Sequence, residues 1–259
     1  MNSVHPKQPK TCSELADIIR KTCLLEGWNA DLNFIDTSKV KNMSYLFSGY
    51  SKFGYGLGEF NGDISEWDTS NVRNMKGMFR EAKFFNCDIS RWNTENVEDT
   101  SEMFEDAIRF NSDISGWNTS NVITMRRMFL NAKNFNRNLN GWNVSNVEDM
   151  GYTFCNASGF NSPLDNWNTS NVRDTQGMFF GCASFNQDLS SWDVSKVKDT
   201  SGMFYSAKSF NQNLDKWNVS KVKEFTDMFC NSNFKSNLPH FKYEGSEEKL
   251  LEELGLISE

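Results

Sequence analysis

The sequence predicts a repeat solenoid in which each 25-residue coil contains one short strand and one short helix. Seven tryptophans recur at intervals of 25 residues, and a phenylalanine follows each of them twelve residues later. A fixed period of this size is typical of stacked repeats, because one unit is too small to bury its own apolar side chains. The tryptophans are Trp67, Trp92, Trp117, Trp142, Trp167, Trp192 and Trp217.

An eighth unit precedes these seven. It carries Ile35 in place of the tryptophan, with Val40, Met43 and Phe47 in register behind it. Seven extra residues separate this unit from the next, and their glycines predict a protruding loop at about 49–59. The repeat array is therefore predicted to span residues 30–241.

Within one unit, the segment DISEWDTS predicts the strand, because Ile, Trp and Thr favour extended backbone. Ser70 is then a candidate N-cap, and Val72, Met75 and Phe79 recur at a spacing that lines one face of a helix. Helices are about 10 Å wide and strands stack about 4.8 Å apart, so we expect the stack to curve.

Polar residues at fixed positions in each unit predict turns. Each Phe-Asn pair, as in Phe60–Asn61, supplies a core ring and an amide that can bond loop backbone and its own copies in neighbouring coils. Asp63, Asp88 and Asp113 share another position, where a carboxylate usually accepts a bond from its own backbone. Stacked carboxylates could instead attract calcium, so both interpretations stay open.

Both ends of the array carry amphipathic segments. Residues 11–29 begin with Thr11 and Glu14 at capping-box spacing, and residues 242–259 contain Ser246 as a candidate N-cap. A stack of repeats exposes its core at both ends, so these segments are predicted to be capping helices. Either helix could alternatively bind a partner. Residues 1–10 are predicted to form a flexible N-terminus.

The composition constrains the partners. A net charge of −7 and a pI near 5.1 argue against nucleic acid, whose binding requires clustered Lys and Arg. Membrane insertion is not expected, because no apolar run approaches the roughly 20 residues of a spanning helix. The start of the sequence lacks the apolar core of a secretory signal, which favours a cytoplasmic location. Capped ends predict a monomer.

The sequence offers little for catalysis. The six cysteines follow no CxxC spacing, which favours reduced thiols over a zinc site. The two histidines lie near opposite ends of the chain, so no Ser-His or Cys-His pair is expected within the repeats. We therefore expect no enzyme, no cofactor and no metal site.

Two rows of variable positions are candidates for partner binding. On the outer side of the predicted helices, the residue after the constant phenylalanine becomes apolar and aromatic along the array, and an exposed apolar stripe is a candidate interface. The alternative is that these side chains fill gaps between neighbouring helices. The candidates in this row and beside it are Leu130, Tyr152, Phe180 and Tyr205.

The second row lies on the strand side, at the residue before each tryptophan. Its residue type varies freely beside a fixed core residue, which indicates solvent exposure. The candidates in this row are Glu66, Arg91, Asn166 and Lys216. Elsewhere, the alternation of charge in the early units predicts ion pairs between coils, with Glu102 beside Arg126 and Arg127.

The pattern FNxDISxWDTSNVxxMxxMFxxA resembles the repeats of the BspA-like leucine-rich-repeat surface proteins of bacteria. The resemblance extends over about Ala30 to Leu238. It implies a right-handed, leucine-rich-repeat-like solenoid at the bacterial cell surface, with a role in adhesion or macromolecular recognition. We therefore expect a non-enzymatic module that binds a protein or another macromolecule; the alternative is an intracellular scaffold or structural spacer.

Overall fold

The described chain has two helices and no extended strand. A computed structural model describes residues 7–50, 52–241 and 246–257, with α1 at Cys12–Glu26 and α2 at Glu247–Glu253. The described residues between the helices form turns and isolated parallel bridges of one residue pair each. The predicted fold class, a right-handed and curved leucine-rich-repeat-like solenoid of strand-and-helix coils with capping helices, is therefore wrong.

Two of the predicted segments lie partly outside the described residues. These are the flexible N-terminus at 1–10, of which 7–10 are described, and the C-terminal segment at 242–259, of which 246–257 are described.

Left-handed backbone prevents a helix from forming after each tryptophan. With the tryptophan counted as position 0, φ is positive at positions +10 and +14 of the seven tryptophan units, as at Gly77 (57°) and Glu81 (59°). A right-handed helix cannot pass through such residues. The chain instead makes successive tight turns, in which the N–H of Arg80 donates to the carbonyl of Gly77 at 3.0 Å.

Alternate backbone amides of the same segment join one unit to the next. The N–H groups at +8, +10, +12 and +14 donate to the carbonyls at +7, +9, +11 and +13 of the following unit. Phe79, for example, donates to Met103 at 2.9 Å, and Glu98 at +6 donates back to Arg73 at 2.8 Å. The same five bonds recur at all seven boundaries between the eight units. Each contributes about 1 kcal/mol, so this backbone network holds the units in register.

The predicted strand is also a pair of turns. The carboxylates of Asp63 and Asp68 accept the N–H groups of Ser65 and Ser70, each at 2.9 Å. Such bonds compete with extended pairing and fold the backbone back on itself. The turn interpretation of the Asp63 position is confirmed. In the described chain, no group of three or more His, Cys, Asp and Glu side chains is arranged to hold a metal ion.

Side chains extend the network between units. The Asn61 side-chain oxygen accepts the N–H of Asn86 at 2.9 Å, and this bond repeats along the array, so the predicted asparagine ladder is confirmed. The indole N–H of Trp92 donates to the carbonyl of Ile64 in the preceding unit at 3.0 Å. All seven repeat tryptophans make this bond, at 2.8–3.0 Å.

Columns of aromatic rings fill the core. The phenylalanines at +12, from Phe47 to Phe229, stack at centroid distances of 5.4–5.7 Å. Each also packs on a second phenylalanine of its own turn, as Phe79 does on Phe85 at 3.8 Å. These rings are fully or almost fully buried. One continuous core therefore runs through all the units.

The two helices lie at opposite ends of the array. In α1, Leu15 is buried in the common core. At the other end, the carbonyls of Glu253 and Leu254 accept the N–H groups of Asp227 and Phe229 at 2.6 and 2.8 Å. These are the amides that bond to the following unit elsewhere in the array, so α2 and the residue after it take the place of a ninth unit. Neither α1 nor α2 is long and apolar enough to cross a membrane.

We predict that Trp142→Phe lowers the free energy of unfolding by about 0.5–1.5 kcal/mol, because the buried carbonyl of Ile114 loses the indole N–H at 3.0 Å and keeps only the backbone N–H of Trp117 at 3.2 Å. Trp28→Phe is the matched control, since this indole is 36% exposed. Scanning calorimetry of both variants measures the effect. A Trp142→Phe protein that unfolds at the wild-type temperature would contradict a structural role for the indole N–H.

Candidate binding cleft

An open cleft of about 300 Å³ lies on the face formed by positions +9, +10 and +13 of the later units. Its aromatic lining consists of Tyr152, Phe180 and Tyr205. Gly177 and Gly202 also line it, and Asp227 is its acidic residue. The cleft therefore combines apolar surface with a charged group.

The cleft exists because the +10 position loses its side chain in two successive units. Tyr152 occupies +10 in its own unit, and its ring covers Gly177, where an added Cβ would lie 2.5 Å from the ring. At Gly202 there is room for a methyl group, since an added Cβ would make ordinary van der Waals contacts with Phe180 and Tyr205 at 3.7 and 3.9 Å. Glu102 adopts the same φ of 59° at the equivalent position, so this backbone also accommodates larger residues.

Phe180 and Tyr205 form an aromatic wall of the cleft, and stacking and a hydrogen bond hold the two rings in place. The rings of Phe180 and Tyr205 lie 4.6 Å apart and within 2° of parallel. The Tyr205 hydroxyl accepts a hydrogen bond from the side-chain amide of Asn231 at 3.1 Å. Both rings are partly exposed, unlike the core phenylalanines. The wall is therefore ordered before any ligand arrives, which reduces the entropic cost of binding.

Polar groups also line the cleft. Gln176, Ser201 and Thr226 occupy position +9 in three successive units and line the cleft. Their amide and hydroxyl groups can both donate and accept hydrogen bonds. A few polar groups converging on an apolar cleft are typical of binding sites.

Three of the four candidates in the outer row meet in this cleft. Tyr152, Phe180 and Tyr205 line it, whereas Leu130 does not. Leu130 is partly buried in an earlier unit. The helix from which this row was predicted does not form, and the side chains share a face because +9, +10 and +13 point away from the core between the buried positions.

The four candidates before the tryptophans form a separate surface. Glu66, Arg91, Asn166 and Lys216 are all exposed, and none of them lines the cleft. Glu66 and Arg91 pair at 2.8 Å, with side chains 59% and 72% exposed. An ion pair this exposed contributes little, at most about 1 kcal/mol.

The glycines and Asp227 were not found from the sequence, although a signal was available. Position +10 reads Gly77, Glu102, Arg127, Tyr152, Gly177, Gly202 and Asp227 along the array. Two consecutive glycines after larger residues mark a gap in an otherwise occupied column. The gap begins beside a tyrosine and ends at an aspartate, which is where the cleft lies.

Earlier units fill the same face with their own ion pairs. Glu105 is 2% exposed and bridges Arg80 at 3.0 Å and Arg127 at 2.8 Å. Arg80 also pairs with Glu102 at 2.6 Å. Burial raises the pKa of the Glu105 carboxyl, against the opposing effect of Arg127 and Arg80. This part of the face is closed by charges that neutralise one another.

The predicted ion pairs between early units are confirmed, but Glu102 does not pair with Arg126 or Arg127. Its carboxylate pairs with Arg80 and, at 3.5 Å, with Lys76, both in the preceding unit. Arg126 instead reaches forward to Asp149 at 3.5 Å and Asp174 at 3.1 Å. The stacking of the units sets these pairings, because side chains from +7 to +13 of successive units converge.

The face around the cleft is acidic. Asp174 shares the +7 column with Asp149 and Asp199. Burial raises the pKa of Asp174 and these two carboxylates add to the shift, whereas the backbone N–H of Gln176 and the charge of Arg126 oppose it. Burial also raises the pKa of the Tyr152 hydroxyl; Arg126 opposes the shift, whereas Asp199 and Asp174 add to it. The tyrosine at one end of the cleft therefore lies within the field of two carboxylates.

Three of the cysteines are not activated. All six are free, and burial raises the pKa of Cys12, Cys87 and Cys155 to about 11. A thiol with such a pKa is protonated at neutral pH and is a poor nucleophile.

The repeats match one known family. Residues 54–161 and 137–241 each match the family described as "Mycoplasma protein of unknown function, DUF285". The two overlapping matches cover well over half of the chain. The chain belongs to this family. No curated protein and no solved structure matches it. The DUF285 match thus supports a repeat protein, and the cleft lies within the second matched segment.

We predict that Gly177→Ala destabilises this DUF285 chain more than Gly202→Ala. Both glycines have positive φ, of 55° and 59°, so each substitution costs about 1–2 kcal/mol from backbone strain. Only at Gly177 would the methyl group also meet the Tyr152 ring, at 2.5 Å. Urea unfolding of the two variants measures the difference; equal losses would contradict a clash at Gly177 that is absent at Gly202.

We predict that Glu105→Gln removes a pH-dependent loss of stability. Because burial raises the pKa of Glu105, the folded state holds the proton more tightly than the unfolded chain. This contribution to stability is complete below the unfolded pKa of about 4.3 and is lost as the pH rises through the folded value. The unfolding free energy of wild type minus that of Glu105→Gln should therefore fall between acidic and neutral pH.

Urea titrations at several pH values measure this difference for Glu105→Gln. Glu66→Gln makes the same charge change on an exposed side chain and serves as the control. A difference that rises with pH would show that the ion pairs of Glu105 with Arg80 and Arg127 outweigh its burial.

Proposed function

We propose that the chain is a non-enzymatic module that recognises a protein through the aromatic cleft. The observation that carries this proposal is the ordered, partly exposed wall of Phe180 and Tyr205 beside Gly202, which adds no side chain to the cleft. Aromatic side chains in a preformed cleft supply much of the binding free energy at protein interfaces. A repeat array offers such a cleft on a rigid frame.

The resemblance to BspA-like surface proteins supports the same class of function. Proteins of that kind suggest adhesion or recognition at a bacterial surface, and we extend this to the present chain as part of the proposal. The DUF285 match is consistent with a repeat module of this type.

The chemistry of the cleft also favours binding over catalysis. Asp227 is its charged residue, its hydroxyl groups are those of Ser201, Thr226 and the two tyrosines, and no histidine or cysteine lines it. A hydroxyl nucleophile needs a neighbouring base to activate it. We therefore assign the polar groups to ligand recognition.

A random peptide library displayed on phage tests the proposal. We expect the wild-type chain to select peptides that bind the Phe180→Ser/Tyr205→Ser double variant at least about tenfold more weakly, because two aromatic surfaces are lost. Leu130→Ser is the matched control, since Leu130 occupies the same repeat position as both residues but lies outside the cleft.

Melting temperatures of all variants verify that they fold. Peptides that bind the double variant more weakly than wild type, and bind Leu130→Ser as tightly as wild type, support the cleft as the binding site. Selected peptides that bind the folded double variant as tightly as wild type would overturn the proposal.

A further inference from the structure

We propose that the cleft takes a cationic side chain, so that the partner presents an arginine- or lysine-rich segment. This inference rests on the proposed function, because it assumes that the cleft is the binding site. The lining gives the chemistry: aromatic faces at Phe180 and Tyr205 and the exposed carboxylate of Asp227. Aromatic faces attract cations through the ring quadrupole, and a carboxylate adds charge attraction.

The distribution of charge along the face points to an external cation. In the earlier units, positions +7 to +14 contain Lys76, Arg80, Arg126 and Arg127. In the last three units, residues 174–181, 199–206 and 224–231 contain no lysine or arginine. The later part of the face therefore has no cations of its own at these positions.

Carboxylates continue along the same face after the cations stop. The last three units carry Asp174, Asp199, Glu224 and Asp227 at +7 and +10. Arg126 pairs with Asp174, and the ion pairs of the described residues include none with the other three. A bound cation would supply the countercharge that this part of the face lacks.

The chain already binds its own cations in this way. The guanidinium of Arg80 lies 4.2 Å from the ring centre of Tyr50 while it pairs with Glu102 and Glu105. The guanidinium of Arg126 lies 5.3 Å from the ring centre of Tyr152, at the edge of the cleft, while it pairs with Asp174. A ring and a carboxylate around one guanidinium is thus a recurring arrangement of this face.

The cleft has the same groups but no cation of this chain. Phe180 and Tyr205 supply the rings, Asp227 supplies the carboxylate, and Gly202 adds no side chain to the cleft. The side-chain oxygens of Ser201 and Thr226 add acceptors for the remaining N–H groups of a guanidinium or ammonium group. An arginine or lysine of the partner fits both the shape and the charge of this site.

Fluorescence polarisation with defined peptides tests the inference. The probe is a labelled Gly-Ser peptide that carries arginines. The comparison peptide has the same sequence with citrulline in place of each arginine. We expect the citrulline peptide to bind wild type at least about tenfold more weakly, because it keeps the shape and loses the charge. Binding of the arginine peptide should also weaken as salt is added.

Two variants assign the binding to the cleft. Asp227→Asn removes the carboxylate, and Gly202→Gln adds a side chain to the cleft at a backbone conformation that Glu102 also adopts. We expect each to weaken the arginine peptide about tenfold. Asp215→Asn makes the same charge change at an exposed residue outside the cleft, and we expect it to bind like wild type.

The outcomes separate this inference from the proposed function. Equal binding of the arginine and citrulline peptides overturns the inference. So does equal weakening by Asp215→Asn and Asp227→Asn, which would indicate diffuse attraction to an acidic chain. If phage selection instead yields cleft-dependent peptides without basic residues, the proposed function holds and the cationic ligand is wrong.

Discussion

The structure depends on backbone amides that alternate between two kinds of acceptor. In the first seven units, the amides at +8, +10, +12 and +14 donate to the next unit, those at +11 and +13 donate to carbonyls three residues back, and that at +9 donates to the side chain at +7, as Lys76 does to Asn74. The left-handed residues at +10 and +14 make this alternation possible, because they turn successive amides in different directions. Neither a helix nor a strand provides this pattern. A chain of turns is thus both the fold of each unit and the means of joining it to the next.

This network fixes the register and therefore the side-chain columns. Because each amide meets the equivalent carbonyl of the next unit, identical side chains lie above one another, as the phenylalanines from Phe47 to Phe229 do. The seven-residue insertion follows the last of these amides, where Gly49 donates to Arg80 at 2.8 Å. The first boundary therefore keeps all five bonds despite the longer connection.

The sequence correctly predicted which residues repeat, but the local backbone conformation inferred from it was wrong. Period, core residues and the asparagine ladder follow from identical side chains at equal spacing, which must stack to be buried. The helix was inferred from the spacing of Val72, Met75 and Phe79, but successive tight turns bury side chains at the same intervals of three or four. The distinguishing signal was at +14, where residues that tolerate left-handed backbone predominate: Asp106, Asn131, Asn156, Gly181 and Asn231.

The cleft was only partly predictable, because it arises from what the repeat omits. Its aromatic residues stand out as departures from the pattern, whereas its shape depends on the absence of side chains at Gly177 and Gly202. The same backbone carries Arg80, Glu105 and Arg127 earlier in the array, and there the face neutralises itself. At positions +7 to +14 of the last three units the arginines are missing and the carboxylates remain, so the same backbone exposes an aromatic and acidic surface. The constant residues thus determine the frame, and the differences between units determine what the frame can bind.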